Sequence, residues 1–305
     1  MTYNQLWKRL TAIYNEREAQ AIVRTVLDAL FGMSLTDICL GKVTQLSADD
    51  TTRLEKIMQR LEKSEPVQYV LGTEWFAGRL FDVAPGVLIP RPETEDLVKW
   101  ACDEAKEKEK EDNSKEERGK EEKEVSKKGE EVPHPSILDI GTGSGCIAIT
   151  VALALPQARV TAWDISTDAL AIAAGNAHRL GASVRFEHQN ALSAPDDEER
   201  WDVIVSNPPY ICDRERADMS DNVLSYEPEL ALFVPDSDPL LFYRAIARYA
   251  SKALKPGGRL LFETNTAYAH EVAQVMANEG FTAIEVRNDC FGKPRMVKGA
   301  FIREE

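Results

Sequence analysis

No stretch of the 305 residues is apolar enough for long enough to cross a bilayer. The opening MTYNQLWKRLTAIYNERE has neither an uninterrupted apolar core nor a small-residue cleavage site, so the expectation is a soluble protein of the cell interior, cytoplasmic rather than exported. Cysteine is sparse. Cys39, Cys102, Cys146, Cys212 and Cys290 lie far apart, form no CxxC pair and are odd in number, which argues against structural zinc and against a disulfide framework. Histidine is sparser still, and His134, His178, His188 and His270 each read as surface residues, leaving no obvious histidine base and no metal set. Basic charge is in deficit: 37 Lys+Arg face 51 Asp+Glu, a formal net charge of -14, so the field of the whole molecule repels a phosphate backbone. Bulk nucleic acid is therefore disfavoured as a partner.

Hydrophobic residues make up 43% of the chain, enough for one large or two modest domains and too many for a disordered whole. Glu104 to Glu131 stands apart, with nine basic and twelve acidic residues and Val125 as its only large apolar side chain. It reads as a solvated excursion, transiently helical through its Glu and Lys pairs. Ahead of it, apolar positions recur at helical spacing from residue 4 to about 71. Leu6, Leu10 and Ile13 form one stripe; Ala21, Ile22, Val26, Leu27 and Leu30 form another, closed by Gly32; Leu54, Ile57, Met58 and Leu61 form a third, capped by Ser47. Residues 72–90 change period and read as a hairpin, with Trp75-Phe76 and Leu80-Phe81-Val83 broken at Gly78 and at Pro85-Gly86. Behind the charged run, strand candidates at 136–140, 159–163, 184–187, 201–205 and 258–262 alternate with helical stretches near 145–155, 166–180 and 239–254. That alternation predicts an α/β domain with a doubly wound parallel sheet, in which ligands bind beyond the carboxyl ends of the strands. The expected organisation is a helical domain over 1–71, a hairpin linker over 72–92, a helix followed by the charged insertion over 93–132, and the α/β domain over 133–305.

Four strand ends of the back part carry chemistry. Asp139-Ile140-Gly141-Thr142-Gly143-Ser144-Gly145 follows the first strand, and its glycines let the backbone approach a ligand closely. The third glycine falls two residues after the second, outside the dinucleotide GxGxxG spacing, and no P-loop lysine follows, so diphosphate cofactors lose ground. At the end of the next strand Asp164 can accept both ribose hydroxyls of a nucleoside; the competing reading is a helix N-cap, a need that Ser166 or Thr167 serves as well. Asn190, after the third strand, stands where such sheets contact an adenine edge or where a turn forms. Asn207-Pro208-Pro209-Tyr210 follows the strand 201–205. Two prolines remove two amide donors and stiffen the backbone, which fixes the Pro208 carbonyl as an acceptor beside the Asn207 side-chain oxygen. A pair of fixed acceptors suits a planar NH2 group, with Tyr210 as a flat wall for stacking.

Gly141 to Gly145, Asp164 and Asn207 to Tyr210 resemble the class I S-adenosylmethionine-dependent methyltransferases that modify NH2 groups. Glu65-Pro66-Val67-Gln68-Tyr69-Val70-Leu71-Gly72, Gly86-Val87-Leu88-Ile89-Pro90-Arg91-Pro92-Glu93-Thr94-Glu95 and Asn207 to Tyr210 together are similar to the release-factor glutamine methyltransferases (PrmC/HemK), over about residues 4–303. The resemblance implies a Rossmann-like methyltransferase domain behind a small helical bundle that recognises the substrate. It implies S-adenosylmethionine held by Gly141, Thr142, Gly143, Ser144, Gly145, Asp164, Asn190 and Asn207. The substrate would be the glutamine amide in the Gly-Gly-Gln loop of peptide chain release factors, met by Asn207, Pro208, Pro209, Tyr210 and Arg91, with Asn207, Pro208 and Tyr210 as the catalytic set. Arg91 and Glu93 belong either to the rim of this site or to an internal ion pair at a hinge.

The sequence departs from the family at Asn190 and Ala191, where many relatives carry an acidic and an aromatic residue, and at Glu263-Thr264-Asn265-Thr266; neither departure is expected to touch the reaction centre. The closing stretch Asp289 to Val297 resembles the family's last hairpin and reads as structural. Rival readings are an adenine amino methyltransferase of DNA or RNA, which would carry a basic stripe that this chain lacks, a ribosomal-protein glutamine methyltransferase, and a cofactor-binding module without activity. No heptad or large apolar patch suggests anything but a monomer.

Overall fold

The computed structural model describes residues 1–121 and 134–302. By contacts the chain divides into two compact units: Met1–Thr73 with Val83–Pro85 and Asp218–Glu227, and Glu74–Asp82 with Gly86–Ala217 and Pro228–Glu305.

The first unit is helical. Thr2, Asn15, Ser34 and Ser47 each accept a backbone N–H and so start the helices Tyr3–Arg9, Glu16–Phe31, Leu35–Cys39 and Ala48–Leu61. Gly32 closes the second in the left-handed conformation. Leu6, Leu10, Leu27, Leu54, Met58 and Leu61 are wholly buried in one core, each contributing about 1.5–3 kcal/mol against exposure. Two expected inner positions lie outside: Ile13 is exposed because the first helix ends at Arg9, and Ala21 because the buried stripe of the second runs through Ala19, Val23, Val26 and Leu27. Within this unit the Tyr226 hydroxyl donates to the Lys63 carbonyl at 2.8 Å, which fastens Asp218–Glu227 to the front helices.

Among the described residues eleven strands follow, all within the second unit save Thr73 at the start of the first. β1 (Thr73–Phe76) and β2 (Arg79–Asp82) form the expected hairpin, turned by Ala77 and Gly78, both at positive φ. β3 (Ser136–Ile140), β4 (Arg159–Asp164), β5 (Val184–His188) and β6 (Trp201–Ser206) come next. A short pair, β7 (Ile211–Cys212) and β8 (Phe233–Val234), precedes β9 (Leu254–Glu263), β10 (Phe281–Asn288) and β11 (Pro294–Phe301). The main sheet has the order β10-β11-β9-β6-β3-β4-β5. Its five expected strands are parallel, and β3 and β6 are buried along their whole length, as near-continuous apolar runs require when both faces are covered. Side chains alternate between two cores: Ile137, Val203, Val205 and Leu261 face one, and Leu138, Ile204, Leu260 and Phe262 face the other. The sheet is not wholly parallel. β11 lies antiparallel between β9 and β10, because the connection Asp289–Lys293 from β10 is too short for the crossover that parallel pairing needs.

The helix Glu93–Glu121 corrects the reading of the charged segment, whose remainder from residue 122 to 131 lies outside the described residues. Its first turns do not dissolve into solvent: Ala105, Glu104 and Lys108 are buried. Glu104 accepts from Lys298 Nζ at 2.5 Å, from Arg259 Nε at 3.2 Å and from Trp100 Nε1 at 3.0 Å. Cations on β9 and β11 thus give the acidic residue a buried partner that composition does not reveal. Removing one side of such a buried set leaves the other uncompensated, at about 3 kcal/mol or more. Glu104→Ala is expected to lower the unfolding free energy by about that amount in equilibrium urea denaturation; a loss under about 1 kcal/mol would mean the cluster is solvated.

Candidate functional site

The chain runs outward from β3 through β4 to β5, then returns to place β6 on the other side of β3. The carboxyl ends of β3 and β6 therefore flank the point where strand order reverses, where such sheets open a crevice. A cavity of about 320 Å³ lies there, lined among the described residues by Ile140, Gly141 and Gly143 after β3, Asp164 to Ser166 after β4, Gln189 to Leu192 after β5, and Ser206 to Pro209 after β6. Phe242, Ile246, Leu230 and Val87 supply most of the remaining apolar wall.

The glycine loop is held from beneath. Gly141 and Thr142 donate their amides to the Trp163 carbonyl, both at 2.9 Å, and Gly143 donates to Asp164 Oδ2 at 2.9 Å. Gly143 has φ +55°, and the space a Cβ would take is open to 4 Å, so the backbone itself faces the cavity. Gly145 serves packing instead: a Cβ there would stand 2.7 Å from Ile149 Cδ1 and 3.1 Å from Ala173 Cβ. Thr142 turns its hydroxyl onto Asp139 Oδ2 at 2.6 Å, and Ser144 is 2% exposed. Of the five loop residues expected at the cofactor, Gly141 and Gly143 line the cavity; Thr142, Ser144 and Gly145 shape the loop behind it. Asn176, wholly buried, donates to the Ser144 carbonyl at 3.0 Å and to the Asp82 carbonyl at 2.9 Å, tying the β1–β2 hairpin to the loop.

Asp164 lines the cavity with both oxygens engaged from the backbone, Oδ2 by Gly143 and Oδ1 by the Ser166 amide at 2.8 Å. Each oxygen keeps a lone pair for a further donor. The helix N-cap that competed for Asp164 is Ser166, which accepts from Ala169 N. Asn190 also lines the cavity, and its oxygen caps the Leu192 amide at 2.9 Å, so the turn role is the one its oxygen performs.

Across from the loop, Asn207, Pro208 and Pro209 line the cavity, and the Asn207 carbonyl lies 4.0 Å from where a Gly141 Cβ would sit. Tyr210 and Arg91 are not among the lining residues. The Tyr210 amide donates to the Leu232 carbonyl, its hydroxyl donates to Glu263 Oε1 at 3.3 Å, and burial beside that carboxylate pushes the phenol far above its ordinary range; Arg91 is near enough for its charge to oppose the rise. The wall expected of Tyr210 is thus drawn back from the cavity.

Glu263, set aside in the sequence as remote from the centre, is at its rear. Strand β9 pairs with β6 so that Phe262 stands against Ser206, which brings the next residue, Glu263, beside Asn207. The carboxyl is 1% exposed, and burial raises its pKa against the opposing effects of Thr94, Arg295 and Tyr210. It accepts from Thr94 Oγ1 at 2.7 Å, and Thr94 Oγ1 in turn stands 3.4 Å from Asn207 Nδ2. Thr94 lies in the Gly86 to Glu95 segment, one of those that carried the resemblance, so a signal for it was present, though not its geometry.

The chain matches the family model described as Methyltransferase small domain over residues 127–225 and that described as PrmC N-terminal domain over residues 3–72. It is 44% identical over 289 residues to the release factor glutamine methyltransferase of Bacteroides thetaiotaomicron, covering 94% of this chain and 95% of that protein. With the release factor glutamine methyltransferase of Flavobacterium psychrophilum it shares 37% identity, covering 97% of each. The protein of that name from Neisseria gonorrhoeae is 39% identical over 82% of each chain.

Asp139 gives the site a pH signature. Its carboxyl is wholly buried, Oδ1 has no partner among the described residues, and burial lifts its pKa to about 7 despite hydrogen bonds from Thr142 and Ala148. The unfolded carboxyl ionises near pH ~4. Between those values the folded state binds more protons than the unfolded, so this group makes stability fall as pH rises. Asp139→Asn removes the titration: between pH 5 and 7.5 its unfolding free energy should rise relative to that of the wild type, and parallel urea-derived curves would refute the lifted pKa.

Proposed function

The chain belongs to the release factor glutamine methyltransferases, and from that premise we infer that it methylates the side-chain amide nitrogen of the glutamine in the Gly-Gly-Gln loop of peptide chain release factors. It is an S-adenosylmethionine-dependent enzyme of the cell interior, acting as a monomer, with the front helical domain over residues 1–71 recognising the release factor and the hairpin linking it to the α/β domain.

The cavity residues fit the cofactor. The Asp164 carboxylate retains lone pairs for ribose hydroxyls, Ile165, Leu192, Phe242 and Ile246 offer an apolar slot for a planar base, and the open backbone at Gly143 admits close approach of the tail. When bound, S-adenosylmethionine supplies an electrophilic methyl group.

The observation that carries the substrate reading is the Asn207-Pro208-Pro209 wall facing the glycine loop. An amide nitrogen is a weak nucleophile because its lone pair is delocalised into the carbonyl. Asn207 Oδ1 and the Pro208 carbonyl accept its two hydrogens, which fixes the nitrogen and turns its lone pair into the cavity. Orientation and exclusion of water then do most of the work. No protein base is required, since the methylated amide cation is strongly acidic and gives its proton to water.

With labelled S-adenosylmethionine, and release factor, its Gln→Ala loop variant and bare nucleic acid offered side by side, label is expected on the wild-type factor alone. Asn207→Ala should slow transfer about 100-fold or more, by analogy with removing one fixed hydrogen-bond partner from a reacting oxygen. Label on nucleic acid with none on the factor would overturn the substrate and leave the fold standing. Asp164→Ala should weaken S-adenosylmethionine binding roughly 10-fold or more in calorimetry, a cost of about 1.4 kcal/mol; unchanged affinity would remove Asp164 from the ribose role.

A further inference from the structure

A side-chain amide has two ends, and rotating Asn207 by half a turn would exchange an acceptor for a donor. A substrate NH2 would then meet another NH2. The order of donors and acceptors behind Asn207 decides between these states. Thr94 carries a single hydroxyl hydrogen and donates it to Glu263 Oε2 at 2.7 Å. With both Glu263 oxygens accepting, from Thr94 and from Tyr210, what remains on Thr94 Oγ1 is a lone pair, and Asn207 Nδ2 faces it 3.4 Å away. Both members of the relay are shut off from water, Thr94 at 2% and Glu263 at 1% exposure, so no solvent molecule competes to reverse it. Glu263 is held in turn by Tyr210 at Oε1 and lies within reach of the Arg295 charge. Polarity is thus imposed from the buried end outward.

We propose that Thr94 is a positioning residue for methyl transfer: oriented by Glu263, its hydroxyl pins the Asn207 amide so that Oδ1 is turned to the substrate NH2. The proposal rests on the reading of Asn207 Oδ1 as a substrate acceptor. Thr94 is not among the residues lining the cavity, so it acts on the rate through Asn207. It also gives the Pro-Glu-Thr-Glu segment a chemical task beyond its place at the start of the helix Glu93–Glu121.

The test compares Thr94→Val, which keeps the shape without the hydroxyl, Thr94→Ser, which keeps the hydroxyl, Asn207→Ala and the double variant Thr94→Val/Asn207→Ala in the full chain. Measured are the rate of methyl transfer to release factor in single turnover, KM for the factor, calorimetric affinity for S-adenosylmethionine, and melting temperature. Thr94→Val is expected to lose about 10- to 100-fold in rate, the scale of an ångström-level misplacement, with KM and cofactor affinity within about twofold. Thr94→Ser should recover most of that loss, and Thr94→Val should cost nothing further in the Asn207→Ala background, since coupled residues are non-additive. A rate near wild type in Thr94→Val, an equal loss in Thr94→Ser, or a full additional loss on top of Asn207→Ala would overturn the proposal. Full activity of Asn207→Ala would instead bring down the acceptor reading, and this proposal with it. Thr94→Ala makes the same comparison should the valine variant fail to fold.

Discussion

Two parallel strands cannot be joined by a tight turn, so β3 and β6 become neighbours only after the chain has run out through β4 and β5 and come back. The site depends on that reversal. It sets the glycine loop after β3 against the Asn-Pro-Pro turn after β6. The loop can then be built almost wholly from backbone donors, with Trp163 and Asp164 of β4 accepting its amides. The turn, by contrast, is built from acceptors, because its prolines have no hydrogen to give. One wall of the cavity is lined by glycine backbone and the other by Asn207, Pro208 and Pro209.

Three buried acids show how the same side-chain type serves different ends. Glu104 is neutralised by Lys298 and Arg259 and anchors a helix to the sheet. Asp139 has one oxygen without a partner among the described residues, beneath the glycine loop, where burial favours its neutral form. Glu263 is spent on hydroxyls, Thr94 on one oxygen and Tyr210 on the other, and so organises polar groups instead of balancing charge. Partner chemistry separates these roles: Lys298 and Arg259 reach Glu104, and Thr94 and Tyr210 reach Glu263, from far along the chain, whereas Trp100 beside Glu104 and Thr142 and Ala148 beside Asp139 are local.

Where neighbours in sequence were decisive, the sequence was readable. The central strands announced themselves by apolar runs, the front helices by Ser47 and Gly32 at their ends, and the two cavity walls by glycine and proline, residues whose backbone limits are intrinsic. Long-range pairing hid the rest. Glu104 sits in a stretch whose composition says solvent, and cations brought across by β9 and β11 partner it in its buried place. Glu263 is one residue past the strand expected over 258–262, yet its relation to Asn207 needs the register between β6 and β9. Tyr210 was given a wall because its ring is flat; the β7–β8 pairing that follows it draws the hydroxyl inward to Glu263. Ile13 and Ala21 failed for a smaller reason, a helix boundary and a stripe displaced by two residues.

The segment Asp218–Glu227 clusters with the front helices although it is encoded deep inside the back half, and Val83–Pro85 does the same from the other side of the hairpin. The front unit is therefore assembled from three separate lengths of chain. No single cut in the gene divides the two units cleanly, so they are not beads that recombination can exchange at one junction. A transplant of residues 1–73 onto another α/β domain would arrive without Tyr226, and the host would have to provide its own closure for the Lys63 carbonyl. Inheritance of the two units is thereby coupled, even though each has its own hydrophobic core.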